Sequence, residues 1–231
     1  MKLVLFDVDG TLIDSQRIIC AAMRQAYDDH GLVCPPVPQV LSIVGLSLEQ
    51  ALRRLADGAD HPIDSLAARY KEAFFHLRAA GTEPSPFYPG ARAAIEALRG
   101  RDDILLGLAT GKSRRGVAAM VEQHDLHGVF VTVQTADTAP SKPDPGMVLQ
   151  AMQETGVDAA DTVMVGDTAF DMAMARAAGA TGIGVSWGYH PVGDLHAAGA
   201  RQVIDTFDAL APAIEKLWPA TPQTINAASP A

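Results

Sequence analysis

Leu3, Val4, Leu5 and Phe6 form a wholly apolar run, and its length and composition predict a short strand buried on both faces of a parallel sheet. From Ser15 the spacing lengthens to that of a helix. Ile18, Ile19, Ala22, Met23, Ala26 and Tyr27 share one face of a segment that ends near His30 and Gly31, and Pro35, Pro36 and Pro38 stop it. A short apolar piece through Val40, Leu41 and Val44 reaches Gly45. Ser47 and Gln50 then read as a capping box for a helix carrying Leu48, Ala51, Leu52 and Leu55. Another helix starts near Pro62, with Ile63, Leu66, Ala67, Tyr70, Phe74 and Leu77 as its stripe and Gly81 at its end. Residues 15–87 contain no predicted strand.

After Pro89 and Gly90 strands and helices alternate. The pattern predicts helices over 91–99, 114–124, 145–155, 169–178 and 207–218, with strands over 104–109, 129–134, 162–165, 182–186 and 202–204. The expected fold is α/β: a Rossmann-like parallel sheet covered by helices on both faces, with an all-helical domain inserted after the first strand. The expected boundaries are 1–14 and 88–218 for the core and 15–87 for the insert. Residues 219–231, rich in Pro, Ala, Ser and Thr, are expected to be a disordered tail.

Composition narrows the function. A chain of 231 residues with 48% hydrophobic side chains can bury a large core. Its formal net charge of −9 leaves no basic face for nucleic acid or anionic lipid, so an anionic substrate needs its own local cation. The apolar run before Asp7 is too short for a signal peptide and no stretch reaches transmembrane length, so the expected location is the cytoplasm. Cys20 and Cys34 alone make no disulfide framework or zinc site, and idle thiols are expected.

Chemistry gathers at the predicted strand ends. Asp7 and Asp9 follow the first strand and precede Gly10 and Thr11, placing two carboxylates where open α/β sheets bind ligands. One carboxylate can attack phosphorus while the other hands a proton to the leaving oxygen; helix capping is the alternative for either. Thr110 and Gly111 offer a hydroxyl and amides at a helix start, an arrangement that holds anions but also begins many ordinary helices. Lys142 is held among Pro140, Pro143 and Pro145, a fixed cation for a phosphate group. Asp167 and Asp171 are four residues apart at the start of a helix, a hard-cation arrangement suited to Mg²⁺ together with Asp7, or else Asp167 caps the helix and Asp171 is exposed.

The run from Phe6 to Ser15, the Thr110-Gly111 and Lys142-Pro143 pairs and the segment from Gly166 to Asp171 together resemble the four motifs of the haloacid dehalogenase superfamily, over residues 3–217. The resemblance implies Asp7 as nucleophile and Asp9 as general acid and base, with Thr110, Gly111 and Lys142 as phosphate ligands. It further implies Mg²⁺ held by Asp7, the Asp9 carbonyl and Asp167, with Asp171 supporting the metal's water shell. The helical insert is similar to the cap of the phosphoglycolate phosphatase-like subgroup, with Gly45, Leu46 and Ser47 as its substrate-reading loop. Hydrolysis of a small phosphate monoester, with 2-phosphoglycolate the first expectation, follows from the resemblance, as does a monomer or homodimer. Inorganic pyrophosphatase and β-phosphoglucomutase-type transferase are alternatives within the superfamily, and Asp9 argues against a true dehalogenase. Whether Lys112 contacts substrate stays open, and Arg53, Arg54, Arg69, Lys71 and His76 are further candidates for reading a carboxylate. A non-catalytic phosphoaspartate receiver is the alternative of another class, disfavoured by the order of the motifs and by the insert.

Overall fold

The first strand, β1 (Lys2–Phe6), lies inside a parallel sheet of six strands. The other strands are β2 (Ile104–Thr110), β3 (Thr132–Thr135), β4 (Thr162–Gly166), β5 (Thr181–Val185) and β6 (Gln202–Ile204), in spatial order β3-β2-β1-β4-β5-β6. The computed structural model describes residues 1–218, so the expected tail at 219–231 lies outside the described residues. Strand order reverses at β1, which pairs with β2 on one side and β4 on the other. The crevice for a ligand therefore opens at the C-terminal end of β1.

Side-chain alternation along β1 divides the core. Val4 and Phe6 pack with α5 (Ala91–Arg99), α6 (Arg114–Gln123) and α10 (Leu210–Leu217). Leu3 and Leu5 pack on the opposite face with α7 (Gly146–Thr155) and α8 (Ala169–Ala177). All four side chains are fully buried, so the apolar run serves two layers at once.

Between β1 and α5 the chain forms α1 (Gln16–Asp29), α2 (Val37–Leu41), α3 (Leu48–Ala56) and α4 (Ile63–Ala80). These helices have a core of their own, in which Ile19, Met23, Tyr27, Leu52 and Leu66 meet. The two connections to the sheet run side by side: Asp14 N donates to Pro86 O at 2.8 Å and Tyr88 N to Leu12 O at 2.9 Å.

Local expectations change at several points. Ser47 makes no side-chain cap for α3, so the expected capping box is absent, and its amide instead donates to Ser141 Oγ at 2.7 Å. The expected strand at 129–134 begins only at Thr132 and runs to Thr135, with Val131 N donating to Leu106 O just ahead of it. A short α9 (Val192–Ala198) was not expected; its few apolar residues give too brief a period to stand out.

The insert's core should matter in proportion to its packing. Leu52 is fully buried there, and Leu52→Ala should cost about 2–5 kcal/mol in urea denaturation. A loss below about 1 kcal/mol would mean that these helices are not closely packed.

Candidate active site

Asp7 leaves β1 still tied to the sheet, its amide donating to Val165 O at 2.9 Å. Val8 turns into the core, and Asp9 emerges beyond it. Gly10 then takes φ +89°, and a Cβ there would lie 2.3 Å from Asp167 Oδ2. Only glycine combines that backbone with so close an approach. Thr11 completes the turn by donating from Oγ1 to Asp167 Oδ1 at 2.8 Å.

The second carboxylate pair comes from β4 and α8. Asp167 receives a further hydrogen bond on Oδ2 from Tyr189 N at 2.9 Å. Asp171 divides its two oxygens: Oδ2 accepts from Thr168 N at 3.0 Å and Thr168 Oγ1 at 2.7 Å, capping α8, while Oδ1 faces Lys142 Nζ at 2.6 Å. The alternative of an exposed Asp171 and a capping Asp167 does not hold: Asp171 is buried, and Thr168 is the cap of α8. Lys142 Nζ also lies 3.0 Å from Asp7 Oδ1.

Asp167, Asp171 and Lys142 are 0% exposed and Asp7 only 1%. Three carboxylates therefore lie out of water with one lysine, which contacts Asp7 and Asp171. Burial pushes the Asp7 carboxyl up to about 6, against the pull of Lys142. Asp167 is held well above the usual carboxylate range by burial first and then by the charges of Asp171 and Asp7. Burial opposes the charge of Lys142, but Asp171 and Asp7 outweigh it and hold the ammonium above its ordinary range.

Oxygens of Asp7, Asp167 and Asp171 lie within 4.8 Å of one another, and neither Asp7 oxygen has a donor aligned for a hydrogen bond. This all-oxygen donor set, short of positive charge, fits a hard divalent cation.

Thr110 ends β2 buried, its Oγ1 accepting from Lys112 N at 3.2 Å. A Cβ on Gly111 would lie 2.5 Å from Gly45 O and 2.6 Å from Leu46 O, so the loop after β2 meets the insert backbone to backbone. Gly45 itself needs its glycine, with φ +100°. His190 fastens the same segment: Ala169 N donates to its Nδ1 at 3.2 Å, leaving the ring proton on Nε2 to donate to Ser42 O at 3.1 Å.

A cavity of about 390 Å³ lies between this edge of the sheet and the insert. Asp7, Asp9, Thr110, Gly111, Gly45 and Leu46 line it. Ser47, Lys142, Asp167 and Asp171 do not; the last three form the closed layer behind Asp7. Of the proposed carboxylate readers only Lys71 lines it, and its Nζ is 2.8 Å from Glu49 Oε1. Arg53, Arg54, Arg69 and His76 lie elsewhere.

Lys112, left open by the sequence, has a definite place. Its Nζ is 2.7 and 2.8 Å from the two oxygens of Asp9 and 5.1 Å from the centre of the Phe74 ring. Its position two residues after Thr110 at a strand end was the available signal. The segment 187–190 was missed altogether, although Trp187 Nε1 donates to Thr11 O at 3.1 Å, Tyr189 holds Asp167, and a Cβ on Gly188 would lie 2.1 Å from Asp167 Cβ.

Comparison with known proteins bears on the family. Residues 4–185 match the family model of haloacid dehalogenase-like hydrolases. The chain is 36% identical to the protein named Probable phosphatase IndB of Dickeya dadantii, over 93% of this chain and 94% of that one. It is 34% identical to a phosphoglycolate phosphatase of Pseudomonas putida, over 91% and 79% respectively. A crystal structure of a hydrolase from Pseudomonas syringae superposes with a TM-score of 0.82 at 25% identity, over 94% of this chain and 99% of that one. Family model, relatives and fold converge on one conclusion: this chain belongs to the haloacid dehalogenase-like hydrolase family.

Proposed function

We propose that the protein is a Mg²⁺-dependent phosphatase that hydrolyses a small phosphate monoester through a phosphorylated Asp7. The observation that carries this reading is Asp7 itself, buried at the cavity wall with neither oxygen aligned to a hydrogen-bond donor and Lys142 Nζ 3.0 Å away. Relatives named phosphatase and phosphoglycolate phosphatase support it. The wall formed by Ile19, Met23, Val44 and Leu46 weighs against inorganic pyrophosphate, which has no apolar part.

In this reading an Asp7 oxygen attacks phosphorus, the bond from phosphorus to the leaving oxygen breaks, and Asp9 gives that oxygen a proton. Water then attacks the aspartyl phosphate at phosphorus and yields its proton to Asp9, restoring both carboxyl groups. Thr110 and the amides after it receive the phosphate oxygens, and Lys142 anchors Asp7 from behind. Lys112 must release Asp9 when the acid takes up its proton, and the incoming phosphate offers that ammonium another anionic partner. Mg²⁺, held by Asp7, Asp167 and the Asp9 carbonyl, would supply positive charge that draws the phosphate toward Asp7. Asp171 supports this arrangement through Lys142 and Thr168.

Asp7→Asn should abolish turnover, because an amide is no nucleophile. Asp9→Asn should cost on the order of 10²- to 10⁴-fold with an alkyl phosphate and much less with p-nitrophenyl phosphate, whose leaving group needs no proton. Equal losses on the two substrates would remove Asp9 from the role of acid.

Chelation should stop hydrolysis, Mg²⁺ should restore it, and Ca²⁺ should support it poorly. Asp167→Ala should weaken Mg²⁺ affinity more than Asp171→Ala. The carboxyl of Asp7, at about 6, and that of Asp167 both lie above their unfolded values. Their contribution to the stability of the cation-free protein is therefore full below the unfolded values and lost as pH rises through the folded ones. Mg²⁺ competes with those protons, so it should raise Tm more at about pH 7.5 than at about pH 5. An equal rise at both would place the cation elsewhere.

The insert is read here as a cap that selects substrate, because Gly45 and Leu46 form cavity wall while the phosphate groups belong to the sheet. Leu46→Ala should reorder substrate preference and raise KM, with little effect on a small generic ester. An unchanged ranking across a panel of phosphorylated metabolites, 2-phosphoglycolate included, would make the insert a lid only.

A further inference from the structure

Four cationic side chains line the cavity: Lys71, Arg78, Lys112 and Arg115. Two are committed, Lys71 to Glu49 at 2.8 Å and Lys112 to Asp9 at 2.7 Å. Among the described residues, neither Arg78 nor Arg115 has a carboxylate within ion-pair distance. The acidic groups on the same cavity are otherwise placed: Glu49 is with Lys71, and Asp137 Oδ2 accepts from Arg114 N at 2.7 Å. The two arginines feel each other. Arg78 is half-buried, and its guanidinium is held below its ordinary range by burial and by the charge of Arg115. Two like charges gathered on one cavity wall, with no carboxylate in ion-pair contact among the described residues, make a receptor for a ligand anion.

Helix α4 gives the distance. Tyr70, Phe74 and Arg78 are successive i, i+4 positions on one of its faces, each step advancing about 6 Å. Asp9, Tyr70, Phe74, Arg78 and Arg115 all line the one cavity, and Lys112 Nζ, paired with Asp9, sits over Phe74. The series thus runs outward from the acid pair to Arg115, which is exposed and stacked 4.2 Å from the Phe75 ring centre. Between the two ends the cavity wall is Met23, Val44, Leu46, Tyr70 and Phe74. A phosphate at Asp7 and an anion at Arg78 are therefore separated by an apolar stretch of wall, Tyr70 and Arg78 lying about 12 Å apart along the helix axis.

Resting on the phosphatase reading, we propose that the substrates of this enzyme are phosphate monoesters of a ring-sized, largely apolar alcohol that carries a second anionic group at its far end, with Arg78 and Arg115 binding that group. Catalysis and length selection then reside at opposite ends of one cavity.

The test is steady-state hydrolysis of 4-carboxyphenyl phosphate and its neutral isostere 4-carbamoylphenyl phosphate, by the full chain with Mg²⁺. The amide has the better leaving group, so a preference for the carboxylate reports recognition and not reactivity. The ratio of kcat/KM, carboxylate over amide, should be roughly tenfold to hundredfold in the wild type, as expected for hydrogen bonds to a charged group. It should fall to about one in R78Q/R115Q and stay well above one in R78K/R115K, which keeps both charges. Because each ratio is internal to one protein, a general loss of activity or fold in a variant does not imitate the effect. A wild-type ratio near one, or a tenfold ratio that survives R78Q/R115Q, overturns the proposal while leaving the phosphatase reading standing. If the wild type hydrolyses neither ester nor p-nitrophenyl phosphate, the phosphatase reading falls and this inference falls with it.

Discussion

Three buried carboxylates, two of them in contact with one buried lysine, are the constraint on which the site depends. Taking such charges out of water costs several kcal/mol each unless partners restore the lost hydration. Asp171 is satisfied by Thr168 and Lys142, and Asp167 by Thr11 and Tyr189. Asp7 shares Lys142 with Asp171, and neither of its oxygens has a donor aligned for a hydrogen bond. The unmet electrostatic demand of the cluster is thereby focused on one residue, the one that also reaches the cavity. A hard cation relieves that demand, and a phosphate brings Asp7 the electrophile it lacks.

The fold makes this concentration affordable. Asp7 and Asp167 come from adjacent parallel strands at the point where strand order reverses, and Lys142 and Asp171 come from the chain segments flanking that edge. Close backbone approach does the rest: Gly10 and Gly188 both lie where a side chain would collide with Asp167, and Gly166 where one would collide with Asp171. The insert is joined to the same edge with comparable economy. Gly111 against Gly45 and Leu46, Ser47 on Ser141, and His190 on Ser42 fasten one stretch of the insert to the sheet. Lys112 links the two layers chemically, since one ammonium touches both Asp9 and the Phe74 ring of α4. A change in how the insert sits is therefore felt at Asp9.

Much of this was readable in the chain because it depends on local order. The apolar run before Asp7 and the later alternation of strand and helix define a parallel sheet with helices on both faces, and the polar motifs follow strand ends, Lys142 in the loop between β3 and α7. What escaped was long-range. Tyr189 serves the site through a backbone amide, which any residue could supply, so its identity carried no signal. Ser47 looked like a cap because its local context allowed one, yet its amide is satisfied by Ser141, 94 residues away. Lys112, Arg78 and Arg115 are ordinary surface residue types in sequence. Only their meeting across the cavity, together with the absence of carboxylate partners for the two arginines among the described residues, distinguishes them.

The central claim is that Asp7 becomes phosphorylated. Rapid acid quench of the Asp9→Asn variant during turnover of p-nitrophenyl phosphate, followed by borohydride reduction and peptide mass spectrometry, tests it directly. A good leaving group lets the phosphoryl enzyme form in that variant, while the missing base slows its hydrolysis. The account predicts homoserine at position 7, the reduction product of an aspartyl phosphate. Phosphate found on another side chain, or an unmodified Asp7 while p-nitrophenol is released in a stoichiometric burst, would contradict it.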